Sequence, residues 1–126
     1  MNSTKSEDLL SQKDSNFHHA IDLFNNQEWY VAHDVFEEIW HQTNGKERLT
    51  IQAILQIAVA EVHLSNQNYS GATILYGEGL GKIKKTNLPD LGLDLIQFSN
   101  IVEIRLKLLQ SGLSLDNTPL PKLMMK

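Results

Sequence analysis

From Lys46 to Ser65 apolar residues cover most of the circumference of a helix: Leu49, Ile51, Ala53, Ile54, Leu55, Ile57, Ala58 and Val59. A helix that is apolar on nearly every side must be surrounded, so this stretch predicts a central element with the rest of the chain packed around it. Its polar residues stand out against that background. Gln52, Gln56 and His63 fall within an arc of about 40° at 100° per residue, and Glu61 points elsewhere.

Flanking segments carry helical spacing too. Phe17, Ala20, Ile21 and Phe24 predict a first helix from about Ser15 to Asn25, with Ser15 or Asn16 as its cap. A second runs from about Glu28 to Gln42 and stops at Thr43-Asn44-Gly45. A fourth spans about Tyr69 to Lys85, where Gly77 and Gly81 share a face suited to close packing. Asp94 followed by Gln97 is a capping-box pattern, and it opens a fifth helix that Gly112 ends. Alternating β-type runs are missing from the sequence. The expectation is an all-α, compact bundle of about five helices: two helix–turn–helix hairpins plus a C-terminal helix. The hairpins echo each other, since Asn26-Gln27-Glu28-Trp29 and Asn66-Gln67-Asn68-Tyr69 each follow one apolar helix and open another. Residues 1–14 read as a flexible N-terminus, 15–112 as one helical domain and 113–126 as an irregular tail with Pro119 and Pro121.

Charge and composition remove several function classes. The 126 residues carry a net charge of −4. No basic stripe exists to neutralise phosphates, so nucleic acid is not expected as a partner. Lys82, Lys84 and Lys85 sit at a helix end, where the dipole favours cations. Without cysteine there is no thiolate chemistry and no cysteine-based metal centre. The polar N-terminus lacks the apolar run of a signal peptide, and the most apolar stretch is too short and too polar to span a bilayer. The expected location is the cytoplasm, with no membrane partner. Gly77-Glu78-Gly79-Leu80-Gly81-Lys82 imitates a phosphate loop but fails as one, because Tyr76 replaces its first glycine and Ile83 its Ser or Thr.

Trp29 to Trp40 has the highest aromatic density in the chain and carries charge among its rings. His33, Glu37 and Trp40 share a stripe, flanked by Tyr30 and Phe36. If the second and third helices pack antiparallel, that stripe meets Gln52 and Gln56, with His63 toward the far end. Three readings follow. The set His33, Glu37, Trp40, Gln52, Gln56, His63 and Tyr30 lines a small-ligand pocket, with His33 and Glu37 as an acid–base pair. Alternatively His33, Glu37 and His63 hold a metal ion, the only cofactor the sequence suggests. In the third reading the set is a structural hydrogen-bonded network, and the protein is a non-enzymatic interaction module that offers its hairpins to a peptide or a second copy.

The same residues carry a family resemblance. Leu23-Phe24-Asn25, Ala32-His33-Asp34, Glu37-Glu38, Trp40, Gln52, Ile54-Leu55-Gln56, Val62-His63-Leu64, Asn68, Gly71 and Ala72 resemble the domain of unknown function 309, small all-helical proteins of bacteria and plastids. Gly92-Leu93-Asp94 fits the start of that family's last helix, and Asp34 stands where the family more often has Glu. The resemblance implies an all-α fold and marks His33, Glu37, Trp40, Gln56 and His63 as the family-like polar set. It implies no particular activity.

Overall fold

The computed structural model describes residues 15–126, so the reading of 1–14 as flexible lies outside the described residues. Among the described residues the chain is all-α. Helix α1 covers described residues 15–25, followed by α2 (Trp29–His41), α3 (Lys46–Ser65), α4 (Tyr69–Ile83) and α5 (Leu95–Gln110). Ser15 and Asn16 already lie inside α1, so neither is its cap. The only β-type pairing among the described residues is an isolated bridge between Leu93 and Met125. No described helix is long and apolar enough to cross a membrane.

Helix α3 is central. It packs against both α2 and α4, and α4 packs in turn against α5. Helix α2 presents Ala32, Phe36 and Ile39 to the interior, an i, i+4, i+7 face that gives the helix one buried side. The core rings interlock edge to face: Phe24 stands 4.9 Å from Trp29 and 6.4 Å from Phe36. Phe98 of α5 reaches the same cluster, 5.9 Å from Phe24.

The two echoed turns fold alike. In the first, the amide of Gln27 donates to the Phe24 carbonyl (3.0 Å) and that of Glu28 to Leu23 (2.9 Å). In the second, Gln67 donates to Leu64 (3.0 Å) and Asn68 to His63 (2.8 Å). This paired bonding closes a helix with one left-handed residue, and Gln27 (φ 65°) and Gln67 (φ 60°) supply it. Each turn leads into a helix whose fourth residue, Ala32 or Ala72, is fully buried. Helix α5 ends the same way with Gly112 (φ 67°) in the left-handed position.

Two further expectations need correction. The close-packing glycine of α4 is Gly79, where an added Cβ would sit 2.7 Å from Ile57 Cδ1 and 3.1 Å from the Ala53 carbonyl. At Gly77 and Gly81 an added Cβ would meet nothing within 4 Å. The capping box at α5 is half formed. Asp94 accepts from the Gln97 amide at 3.1 Å, but the Asp94 amide donates to the Met124 carbonyl at 2.8 Å instead of to Gln97.

That bond belongs to the C-terminal tail, which packs across the bundle. Leu123 is buried, and its backbone pairs with the Asn25 side chain in both directions, at 2.9 and 2.8 Å. The Lys126 amide donates to Gly92 at 2.9 Å, and its ammonium lies 2.6 Å from Asp90.

Candidate functional site

The residues singled out from the sequence face different neighbours. His33 holds Glu37 at 3.0 Å through Nε2 and Asp34 at 3.3 Å through Nδ1. Both carboxylates are largely in solvent, and Tyr30 beside them is 67% exposed. His41 approaches Glu37 at 3.8 Å, extending this charged face of α2 toward its C-terminus. Trp40 turns to α3, but its partner there is Arg48, whose guanidinium lies 3.7 Å above the ring centroid. The indole Nε1 of Trp40 is buried with no hydrogen-bond partner among the described residues.

Gln56 faces α4, where its amide donates to Glu78 at 3.0 Å. His63 closes the turn into α4, with Nδ1 3.1 Å from the Asn68 side-chain nitrogen. Gln52 is half-buried on the same stripe of α3. The contacts therefore join His33 to Glu37, but lead Trp40, Gln56 and His63 to Arg48, Glu78 and Asn68. Among the described residues no group of three or more His, Asp or Glu is placed to hold a metal ion.

The desolvated charges lie on the other side of α3. Glu61, Tyr76 and Arg105 come from α3, α4 and α5, and all three are buried. Arg105 Nη2 reaches both oxygens of Glu61, at 3.1 and 3.0 Å. The Tyr76 hydroxyl donates to Glu61 and accepts from Arg105 Nε, the latter at 2.7 Å. Arg105 Nη1 points the other way, to the Thr118 hydroxyl at 3.1 Å and the Pro119 carbonyl at 3.4 Å. Every nitrogen of the guanidinium thus has a hydrogen-bond partner, as a tolerated buried ion pair requires. Burial, and then the adjacent Glu61 carboxylate, push the Tyr76 phenol well above its ordinary pKa. Burial alone would lower the Arg105 pKa, but Tyr76 and Glu61 outweigh it and the guanidinium is held more firmly charged.

The sequence did carry a signal for this trio. Glu61 lies opposite the polar stripe of α3, inside its apolar arc, and Arg105 occupies an apolar-spaced position on α5. Opposite charges at two core positions demand each other, because neither can stay buried alone. Tyr76 gave no such signal, since a tyrosine on an apolar face is ordinary core.

This ion pair floors an open cleft of about 860 Å³. Trp29, Leu64, Tyr69, Leu109, Leu113 and Leu120 supply its apolar lining. Gly112, Leu113, Ser114 and Asp116 also line it, and all four are exposed, so they form its rim. The cleft lies at the end of the bundle where both echoed turns open, so Trp29 and Tyr69, the first residues of α2 and α4, both reach it.

Residues 17–75 match the family model described as Domain of unknown function (DUF309), which bears out the resemblance read from the residues. The matched span runs from α1 into α4 and contains the α2 and α3 residues discussed above, Glu61 included. Tyr76 falls one residue beyond it, and Arg105 and the cleft rim lie outside. A search of curated proteins finds no match.

Proposed function

We propose, for an all-helical chain whose residues 17–75 match the DUF309 family, a binding function in which the end cleft takes an apolar small molecule. The observation that carries this reading is the cleft itself. Its volume of about 860 Å³ lies within the range of small-molecule sites, roughly 300–1,000 Å³. Aromatic and aliphatic walls over a small number of polar groups are the usual make-up of such sites. The Glu61–Arg105 pair beneath is saturated by its own partners, so it shapes the floor without requiring a charged ligand.

On this reading His33, Glu37, Gln56 and His63 serve structure, each paired with a neighbouring side chain: His33 with Glu37, Gln56 with Glu78 and His63 with Asn68. The net charge of −4 supports a partner other than nucleic acid. A cysteine-free chain suits the reducing cytoplasm, where we place it.

Calorimetric titration with octan-1-ol tests the proposal, with the Trp29 indole and Leu113 amide followed by NMR. Saturable binding to one site per chain, with both signals shifting, is expected. Leu113→Gln removes an exposed part of the wall and is expected to weaken binding several-fold without affecting the fold. Shifts scattered over the whole surface, or unaltered affinity in the variant, would overturn the reading.

A further inference from the structure

We infer that the end cleft selects an apolar monocation, a small amine bearing an alkyl or aryl tail; this rests on the binding reading above. Among the described residues three charged side chains line the cleft: Glu61, Arg105 and Asp116. Glu61 and Arg105 neutralise each other at 3.0 Å. Asp116 forms no ion pair among the described residues, and its rim position is exposed. Among the described residues the cleft therefore keeps one uncompensated negative charge, on exposed Asp116.

An anionic head group has nothing to bind. The Nε and both Nη groups of Arg105 are committed to Tyr76, Glu61, Thr118 and Pro119, so among the described residues no free cationic group lines the cleft. A cation meets the opposite situation. Trp29 and Tyr69 line the same cleft, and the faces of such rings attract an ammonium group. Asp116 then supplies the counter-charge and a hydrogen-bond acceptor. Leu64, Leu109 and Leu120 accept the tail, so the head and tail of one amphiphile are both satisfied.

Octylammonium, octan-1-ol and octanoate share a tail and differ in head charge. Their affinities are to be compared by calorimetry at physiological ionic strength on the wild-type chain and on Asp116→Asn. The ammonium is expected to bind about tenfold more tightly than the alcohol, which is what one partly exposed cation–π and carboxylate contact supplies. Octanoate is expected to bind more weakly than the alcohol. In Asp116→Asn the ammonium is expected to fall to within about twofold of the alcohol measured on the same variant. Equal binding of ammonium and alcohol by the wild type would overturn the cation preference and leave the cleft reading standing. A preference that survives Asp116→Asn would assign the selectivity to the overall negative charge and also overturn the inference. Failure of all three ligands to bind at Trp29 would remove the binding reading itself.

Discussion

At the scale of single residues, position on a helix decides whether the same chemical change helps or harms. Gly79 and Gly81 share α4, yet a methyl at 79 runs into Ile57 and the Ala53 carbonyl while a methyl at 81 meets open space. Gly81→Ala should raise stability by about 0.5–1 kcal/mol through helix propensity alone. Gly79→Ala should lower it by about 1–3 kcal/mol, the usual cost of overpacking. Urea denaturation of the two variants checks the opposite signs. Tyr76 gives a second residue-scale prediction. Its phenol pKa is raised in the fold. Below about pH 10 both folded and unfolded states keep the proton, so stability from this group is fully present. Above that the unfolded chain releases the proton first, and stability falls by about 1.4 kcal/mol per pH unit until the folded pKa is reached. Tyr76→Phe should be less stable at neutral pH, since Glu61 and Arg105 each lose a bond to the hydroxyl, but it should lack this alkaline slope. A Tyr76→Phe chain that keeps the wild-type slope between pH 10 and 11 would move the titration to another group.

At the scale of elements, periodicity made most of the fold legible. Apolar spacing bounds helix α3 at about Lys46 and Ser65, as observed, and the expected ends of the other helices lie within two residues of those seen among the described residues. Propensity and spacing act along one helix, so they find helices well. What they miss is pairing between helices. The stripe of Gln52, Gln56 and His63 was real as a stripe, but which neighbour each residue would bond depended on how α2 and α4 flank α3. The half-formed capping box at Asp94 has the same origin, since the competing acceptor, Met124, lies thirty residues downstream. The echoed turns, in contrast, are local and were visible. They also carry strain that the sequence does not relieve. Gln27 and Gln67 occupy left-handed backbone that glycine adopts freely, as Gly112 does at the end of α5. Gln27→Gly and Gln67→Gly should each stabilise the chain by up to about 1 kcal/mol, the smaller part of the left-handed penalty remaining after the added unfolded-state entropy. Thermal melts of the two single variants and the double check the gain. A loss at either position would mean that the glutamine side chain contributes more than its backbone costs.

At the scale of the whole molecule, the C-terminal tail closes a ring that no single helix pair makes. The central helix bonds outward to the α4–α5 connector, with the Thr50 hydroxyl donating to the Pro89 carbonyl at 2.6 Å. The tail then returns from α5, through Thr118 and Pro119 on Arg105, to Asn25 at the end of α1. First and last elements are thereby joined across 98 residues of sequence. This closure was hidden in the sequence because the tail has no repeating pattern. Its backbone bonds are satisfied one at a time, by a side chain at Asn25 and by main chain at Gly92 and Asp94. Only Leu120, Leu123 and Met124 hinted that it would pack, and of these Leu123 is the one driven into the core. Stopping the chain after Leu120 would remove the buried Leu123 and Pro121, and the lost burial of Leu123 alone costs about 1.5–3 kcal/mol. It would also strip Asn25 and the Asp94 amide of their partners, at about 1 kcal/mol each. Asn25→Ala in the full chain should cost about 1–3 kcal/mol, because it leaves the Leu123 amide and carbonyl without their side-chain partner. The two changes act on one contact, so they must not add. Asn25→Ala in the shortened chain should therefore cost less than about 0.5 kcal/mol further, the ordinary effect of an uncoupled surface substitution. Denaturant midpoints of the four chains in that cycle measure the coupling directly. Full additivity would mean that Asn25 stabilises the end of α1 by itself and that the tail rests on the bundle without closing it.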